Sequence, residues 1–155
     1  MNHIPSTFTE RVKEKLGEAA ATVYSLEVKR RIEEGGSFVR DPARESIILH
    51  DWRFAYLYSR NFIGGRWQAF EDAISEAPAV HDQAAIRCVY NYVRYVRGSR
   101  MQSAEKHIAN DARSAVDYSQ HVLRQPWRAS MEDGDQANET ISRHPTAASA
   151  YRMGM

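Results

Sequence analysis

Cysteine is nearly absent from this sequence, with Cys88 the single one. One thiol cannot close an intrachain disulfide, which excludes a disulfide framework and fits a reducing compartment. Its neighbours Ile86, Val89 and Tyr92 mark Cys88 as a small buried apolar residue rather than a reactive thiol. Long apolar runs are missing too. None approaches the roughly 18 residues of a membrane span. The opening MNHIPSTFTERVKEKLG lacks the apolar core of a secretory signal, so a cytoplasmic, non-membrane protein is expected by elimination. Charge of one sign is also lacking: Lys and Arg number 21 against 20 Asp and Glu, a formal net charge of +1. That balance excludes a molecule that binds nucleic acid by overall charge, and leaves room for a local basic patch.

Catalytic and metal-binding patterns are missing as well. The six histidines (His3, His50, His81, His107, His121 and His144) form no His-Glu-x-x-His pair, and no cysteine pair exists. There is no Gly-x-Ser-x-Gly elbow and no Gly-x-x-x-x-Gly-Lys phosphate loop. No catalytic residue, metal or cofactor is therefore assigned. Strand patterns are scarce; Phe38-Val39 and Ile47-Ile48-Leu49 come closest, and helix-start signals adjoin both.

What is present is an echo. Residues 45–67 read ESIILHDWRFAYLYSRNFIGGRW, and residues 105–127 read EKHIANDARSAVDYSQHVLRQPW. Glu45, Ile48, Asp51, Arg53, Ala55, Tyr58, Ser59 and Trp67 return as Glu105, Ile108, Asp111, Arg113, Ala115, Tyr118, Ser119 and Trp127. A copy between them carries Val89, Tyr92 and Val96 in the places of Ala55, Tyr58 and Phe62. Tyr92 lies 34 residues after Tyr58 and 26 before Tyr118, so the unit is 26 residues long and one linker holds an insertion of eight. A shortened fourth copy places Ile141, Ala148 and Tyr151 at repeat positions, with Pro145 opening its last helix after a loop-like stretch at 130–135. The chain reaches Met155 before that helix is complete, so the fourth copy is expected to act as a terminal cap or to fray.

Each unit reads as a short helix followed by a longer one. Asp41-Pro42 is a capping acid with proline at the first helical position, opening a short helix over about 42–49. Asp51 caps the next helix, which runs to Gly64-Gly65 and buries Ala55, Tyr58, Ser59 and Phe62. A short helix over about 68–75 turns Ile74 inward and ends before Pro78. Asp82 caps a long helix over about 83–97 that stops at Gly98. Ahead of the repeats, residues 6–35 read as one helix with a Thr7–Glu10 capping box. Its apolar residues fall at Phe8, Val12, Leu16, Ala19, Val23 and Leu26. Lys29-Arg30-Arg31 complements its C-terminal dipole. The expected fold is all-α: one domain over 1–155, in which the helix at 6–35 caps about four stacked repeats over 42–155 in a small solenoid.

The unit, E-x-x-I-x-x-(D/S)-x-x-x-A-x-x-Y-(A/S)-x-x-(V/F)-(I/L)-x-x-x-W, resembles that of a loosely characterised class of repeat proteins found in bacteriophages and large viruses. The resemblance covers about 45–151, is clearest at 45–67 and 105–127, and is weaker at 71–101, where Met101 stands for tryptophan. It implies a helical fold and a phage origin, and brings no enzymatic activity or functional residue with it.

The repeated acids Glu45, Glu71 and Glu105 open each short helix, where a negative charge suits the N-terminus. Trp67 and Trp127, as repeated residues, are expected to pack. One further feature stands out. Arg53, Tyr56 and Arg60 lie three and four apart, and Arg87, Tyr90 and Arg94 follow 34 residues later. With long helices stacked in parallel, these six form one surface ridge, with the unrepeated Trp52 near its end. In one reading the arginines are simply solvated and pair with glutamates of the short helices. In a second the ridge binds an acidic protein surface, since Arg and Tyr are enriched at hot spots. In a third it contacts nucleic acid. The functional expectation is a non-enzymatic protein-interaction module, phage-encoded and directed at a host or defence component. A nucleic-acid-binding accessory protein is the alternative. Monomer and homodimer both fit.

Overall fold

The computed structural model describes residues 8–35 and 38–154. Among these the chain is all-α, with nine helices and no strand. They fall into two compact units, residues 1–63 and 64–155.

The first unit holds α1 (Phe8–Glu33), α2 (Pro42–Ile48) and α3 (Trp52–Tyr58), the last continued by a π-helical turn, Ser59–Ile63. Asp41 and Asp51 cap α2 and α3 as expected, accepting from the Ala43 and Arg53 amides. The Thr7 side of the expected capping box lies outside the described residues. α1 packs on α2 and α3, but not with the apolar stripe read from its spacing. Ala19 is exposed, Val12 and Leu26 are 40% and 57% exposed, and the buried residues are Ala20 and Glu27. Two ion pairs, to Arg30 and to Arg44 of α2, rotate Glu27 inward. Tyr24 follows it, meeting the rings of Phe54 and Phe62 at 5.5 and 5.7 Å. A charge that is buried because it is paired leaves no trace in an apolar period.

The second unit holds α4 (Gln68–Glu76), α5 (Gln83–Asn91) with a π turn Tyr92–Arg97, α6 (Gln102–Ile108), α7 (Ala112–Tyr118) with a π turn Ser119–Leu123, α8 (Gly134–Ser142) and α9 (Pro145–Gly154). Asp82 caps α5 through the Ala84 and Ala85 amides, and Pro145 opens α9. Within this unit α6 packs on α4 and α5, α5 on α7, and α7 on α8 and α9. Phe70, Ile74, Ile86, Val89, Tyr92, Ile108, Tyr118 and Trp127 are sealed from solvent. Cys88 is half-buried rather than buried.

The repeats share one buried device. Arg40 donates to both oxygens of Glu45 at 2.7 and 2.9 Å, and the Tyr58 hydroxyl donates to the same carboxylate at 2.7 Å. Arg66, Glu71 and Tyr92 repeat this at 2.9, 2.7 and 2.7 Å. Arg100, Glu105 and Tyr118 repeat it at 2.8, 3.1 and 2.5 Å. The carboxylates are therefore core acceptors as well as residues of a helix's first turn. Burial pushes Glu45 upward, yet the hydrogen bonds from Arg40 and Tyr58 outweigh it and hold the carboxyl below the ordinary glutamate range. Glu71 shows the same balance, with Arg66, Tyr92 and Arg97 outweighing burial. The tyrosines shift upward, mainly through burial and then through the carboxylate beside each. In the fourth copy Asn138 stands 13 residues before Tyr151. There the Tyr151 hydroxyl accepts from the Trp127 amide, and Asn138 donates to the Trp127 carbonyl.

Candidate functional site

The expected ridge residues fall in both units, and their roles separate. In the first unit Trp52 is half-buried and Arg53 is exposed at the start of α3. Arg53 folds back on its capping acid, donating to Asp51 at 3.0 and 2.7 Å. Tyr56 is buried, 6% exposed, and its hydroxyl accepts from Arg60 at 3.0 Å. In the second unit Tyr90 is completely buried and its hydroxyl accepts from Arg94, again at 3.0 Å. Arg87 stacks on the Tyr90 ring at 4.7 Å and pairs with Asp117 of α7 at 2.8 Å.

Two expectations are corrected. The tyrosines of the rows are core residues, not exposed contact groups: their rings fill the interior while each hydroxyl reaches the arginine one turn later. And the glutamates of the short helices are taken by Arg40, Arg66, Arg97 and Arg100. Arg53 and Arg87 pair with Asp51 and Asp117 instead.

Arg94 differs from Arg53 and Arg87. No ion pair neutralises it among the described residues. Its hydrogen bond to the Tyr90 hydroxyl raises the guanidinium's affinity for its proton. Burial pushes the Tyr90 phenol upward against the nearby Arg94 charge, so it stays a neutral acceptor. Arg94 also lies 4.8 Å over the ring of Tyr95, which is 56% exposed. The Tyr90 hydroxyl and the Tyr95 ring together fix the cation, a form of preorganisation that lowers the entropy lost on binding.

Beside Arg94 lies an open depression of about 200 Å³ lined by Arg94, Gly98, Ser99, His121, Val122 and Arg124. Among the described residues no carboxylate lines it. The sequence reading missed His121 and Arg124, although both stand in repeat register, 26 residues after Tyr95 and Gly98. A second depression of about 400 Å³ is lined by Gln83, Ala84, Arg87, Asp111, Ala112, Arg113 and His144. There Asp111 caps α7 and Arg87 already holds Asp117. No group of three or more His, Cys, Asp or Glu side chains placed to hold a metal ion occurs among the described residues. No helix described is long and apolar enough to cross a membrane.

His107 serves the architecture of this unit. His107 is buried, and its Nδ1 accepts from the Val80 amide at 3.2 Å while Nε2 faces the Ile74 carbonyl at 2.8 Å. Asn110 donates to the Val80 carbonyl at 3.0 Å, and Lys106 to the Ser75 carbonyl at 2.8 Å. Together they fasten the linker that carries the eight-residue insertion. The other copies have Ile47, Ala73 and Thr140 at the His107 position, the one hint available from sequence.

Compared with protein-family models, curated proteins and solved structures, the chain matches none.

Proposed function

We propose that this protein is a non-enzymatic interaction module of stacked helical repeats that binds an acidic protein surface through arginines held in fixed positions. The observation that carries this is Arg94: a surface cation braced by a buried tyrosine hydroxyl and an exposed ring, beside a depression lined by two further basic residues and no acid. Arginine and tyrosine in such settings are the residues that dominate binding energy at interfaces. The repeated Arg–Glu–Tyr device supports a solenoid reading, because it supplies each unit with the same internal brace. The resemblance to phage and large-virus repeat proteins adds a cytoplasmic host or defence component as the target.

The test is affinity capture from host extract, identification of what is retained, and titration of the purified partner against wild type and Arg94→Glu. A partner held equally well by a folded Arg94→Glu variant removes this reading. A second reading, nucleic-acid binding, is favoured by the exposed Tyr95 ring with Arg94 stacked on it, an arrangement that also suits bases and phosphates. It requires affinity that falls steeply with added salt. A mobility shift absent even at low salt eliminates it.

A further inference from the structure

Three helix-stop positions in repeat register share a left-handed backbone. Gly64 and Gly98 have φ of 72° and 71°, and Arg124 has φ of 56°. Glycine adopts this conformation without steric conflict; a residue with a Cβ does not. The third repeat therefore carries a strained arginine where the other two carry the residue that suits the turn. Strain held at one copy of a repeated element points to a role outside the fold. Arg124 lines the basic depression with Arg94 and His121. Among the described residues it has no ion pair.

We propose that this depression is a pocket for one phosphoryl group, borne on a phosphorylated side chain of the protein partner. The proposal rests on the interaction reading above and names the group that its site receives. Charge supports an anion. Two helical segments end here, at Arg97 and Leu123, and each helix end contributes about −0.5 elementary charge. The Arg94 and Arg124 guanidiniums bring two positive charges, leaving a surplus of about one. Donor number selects the anion. A carboxylate is satisfied by a single guanidinium fork, whereas a phosphoryl group presents three terminal oxygens that call for several charge-assisted donors. Arg94, Arg124, His121 and the Ser99 hydroxyl supply them from one rim. A volume of about 200 Å³ suits one such group rather than a run of nucleotides.

The experiment uses the full chain at fixed ionic strength, with amide and imidazole resonances of Ser99, His121 and Arg124 followed by NMR. The probes are inorganic phosphate, a phosphoserine peptide, its unphosphorylated counterpart and a single-stranded DNA oligonucleotide. Saturable shifts at those three residues are expected with phosphate, tighter binding with the phosphopeptide, and none with the unphosphorylated peptide. Arg124→Gly is expected to weaken phosphopeptide binding roughly tenfold or more while raising the thermal midpoint, a pair of effects that a purely structural arginine does not produce. His121→Ala weakens binding without that gain. The proposal is overturned by the absence of saturable shifts, by unchanged affinity in Arg124→Gly, or by the oligonucleotide outcompeting the phosphopeptide. If phosphate fails to bind while Arg94→Glu still releases the captured partner, the pocket falls and the interaction reading stands. If phosphate binds but Arg94→Glu retains the partner, the interaction reading falls and the proposed phosphorylated partner falls with it.

Discussion

The hydroxyl of Tyr118 donates to Glu105, 13 residues earlier, at 2.5 Å, and that of Tyr58 to Glu45, also 13 residues earlier, at 2.7 Å. Between Tyr92 and Glu71 eight more residues intervene, and the bond is again 2.7 Å. The insertion therefore bulges out of the linker without disturbing the brace. Deleting the hydroxyl leaves a buried carboxylate short of a donor. Tyr118→Phe is expected to lose about 1–3 kcal/mol of stability, with Tyr92→Phe alike and Tyr151→Phe, which meets no glutamate, at the low end. Urea unfolding of the three variants checks the order.

Glu71 accepts from Arg66, Tyr92 and Arg97, whereas Glu45 accepts from Arg40 and Tyr58. Neutralising the acid with three donors strands more charge. Glu71→Gln is expected to destabilise by about 2–4 kcal/mol and Glu45→Gln by about 1–2 kcal/mol. Equal losses in the unfolding midpoint contradict this ranking.

Acid acts on the fold in two steps. Burial, slightly offset by the Ile74 carbonyl and reinforced by Lys106, holds the His107 imidazole below its ordinary 6.5. The unfolded chain thus takes up this proton first, so the stability His107 contributes is complete above pH 6.5 and is lost as pH falls toward its folded value. Glu45 and Glu71 lie below their ordinary 4.5, so their contribution is complete above that pH and is lost as pH falls through their folded values. Urea midpoints measured against pH should show both steps. His107→Gln should abolish the first and leave the second.

Gly98 and Arg124 hold the same stop position with φ near +60° to +70°. Open space surrounds a Cβ added at Gly98, so backbone strain alone decides the outcome there. Gly98→Ala is expected to cost about 1 kcal/mol and Arg124→Gly to gain a similar amount. Thermal midpoints that move in the same direction for both would defeat the explanation.

Much of the fold was legible because its signals are local. Asp41, Asp51 and Asp82 act as caps, Gly98 ends its helix, and Tyr58, Ile74, Trp67 and Trp127 are buried. Each follows from neighbours within a turn or from repetition. What escaped depended on partners distant in sequence. Arginine stands five residues before each glutamate, at 40, 66 and 100, yet nothing local tells which carboxylate a long side chain will reach. Glu27 turned inward for the same reason. A ring between two arginines resembles a surface group, so the local sequence points Tyr56 and Tyr90 outward. Their rings are buried and only the hydroxyls meet Arg60 and Arg94.

The most direct test of the central claim is the dissociation constant of the purified captured partner for wild type and for Arg94→Glu combined with Arg124→Glu. Both positions lie outside the core, so circular dichroism should be unchanged. The account predicts affinity weakened by about a hundredfold, as expected for losing two charge-assisted contacts. Undiminished binding by the folded double variant would contradict it.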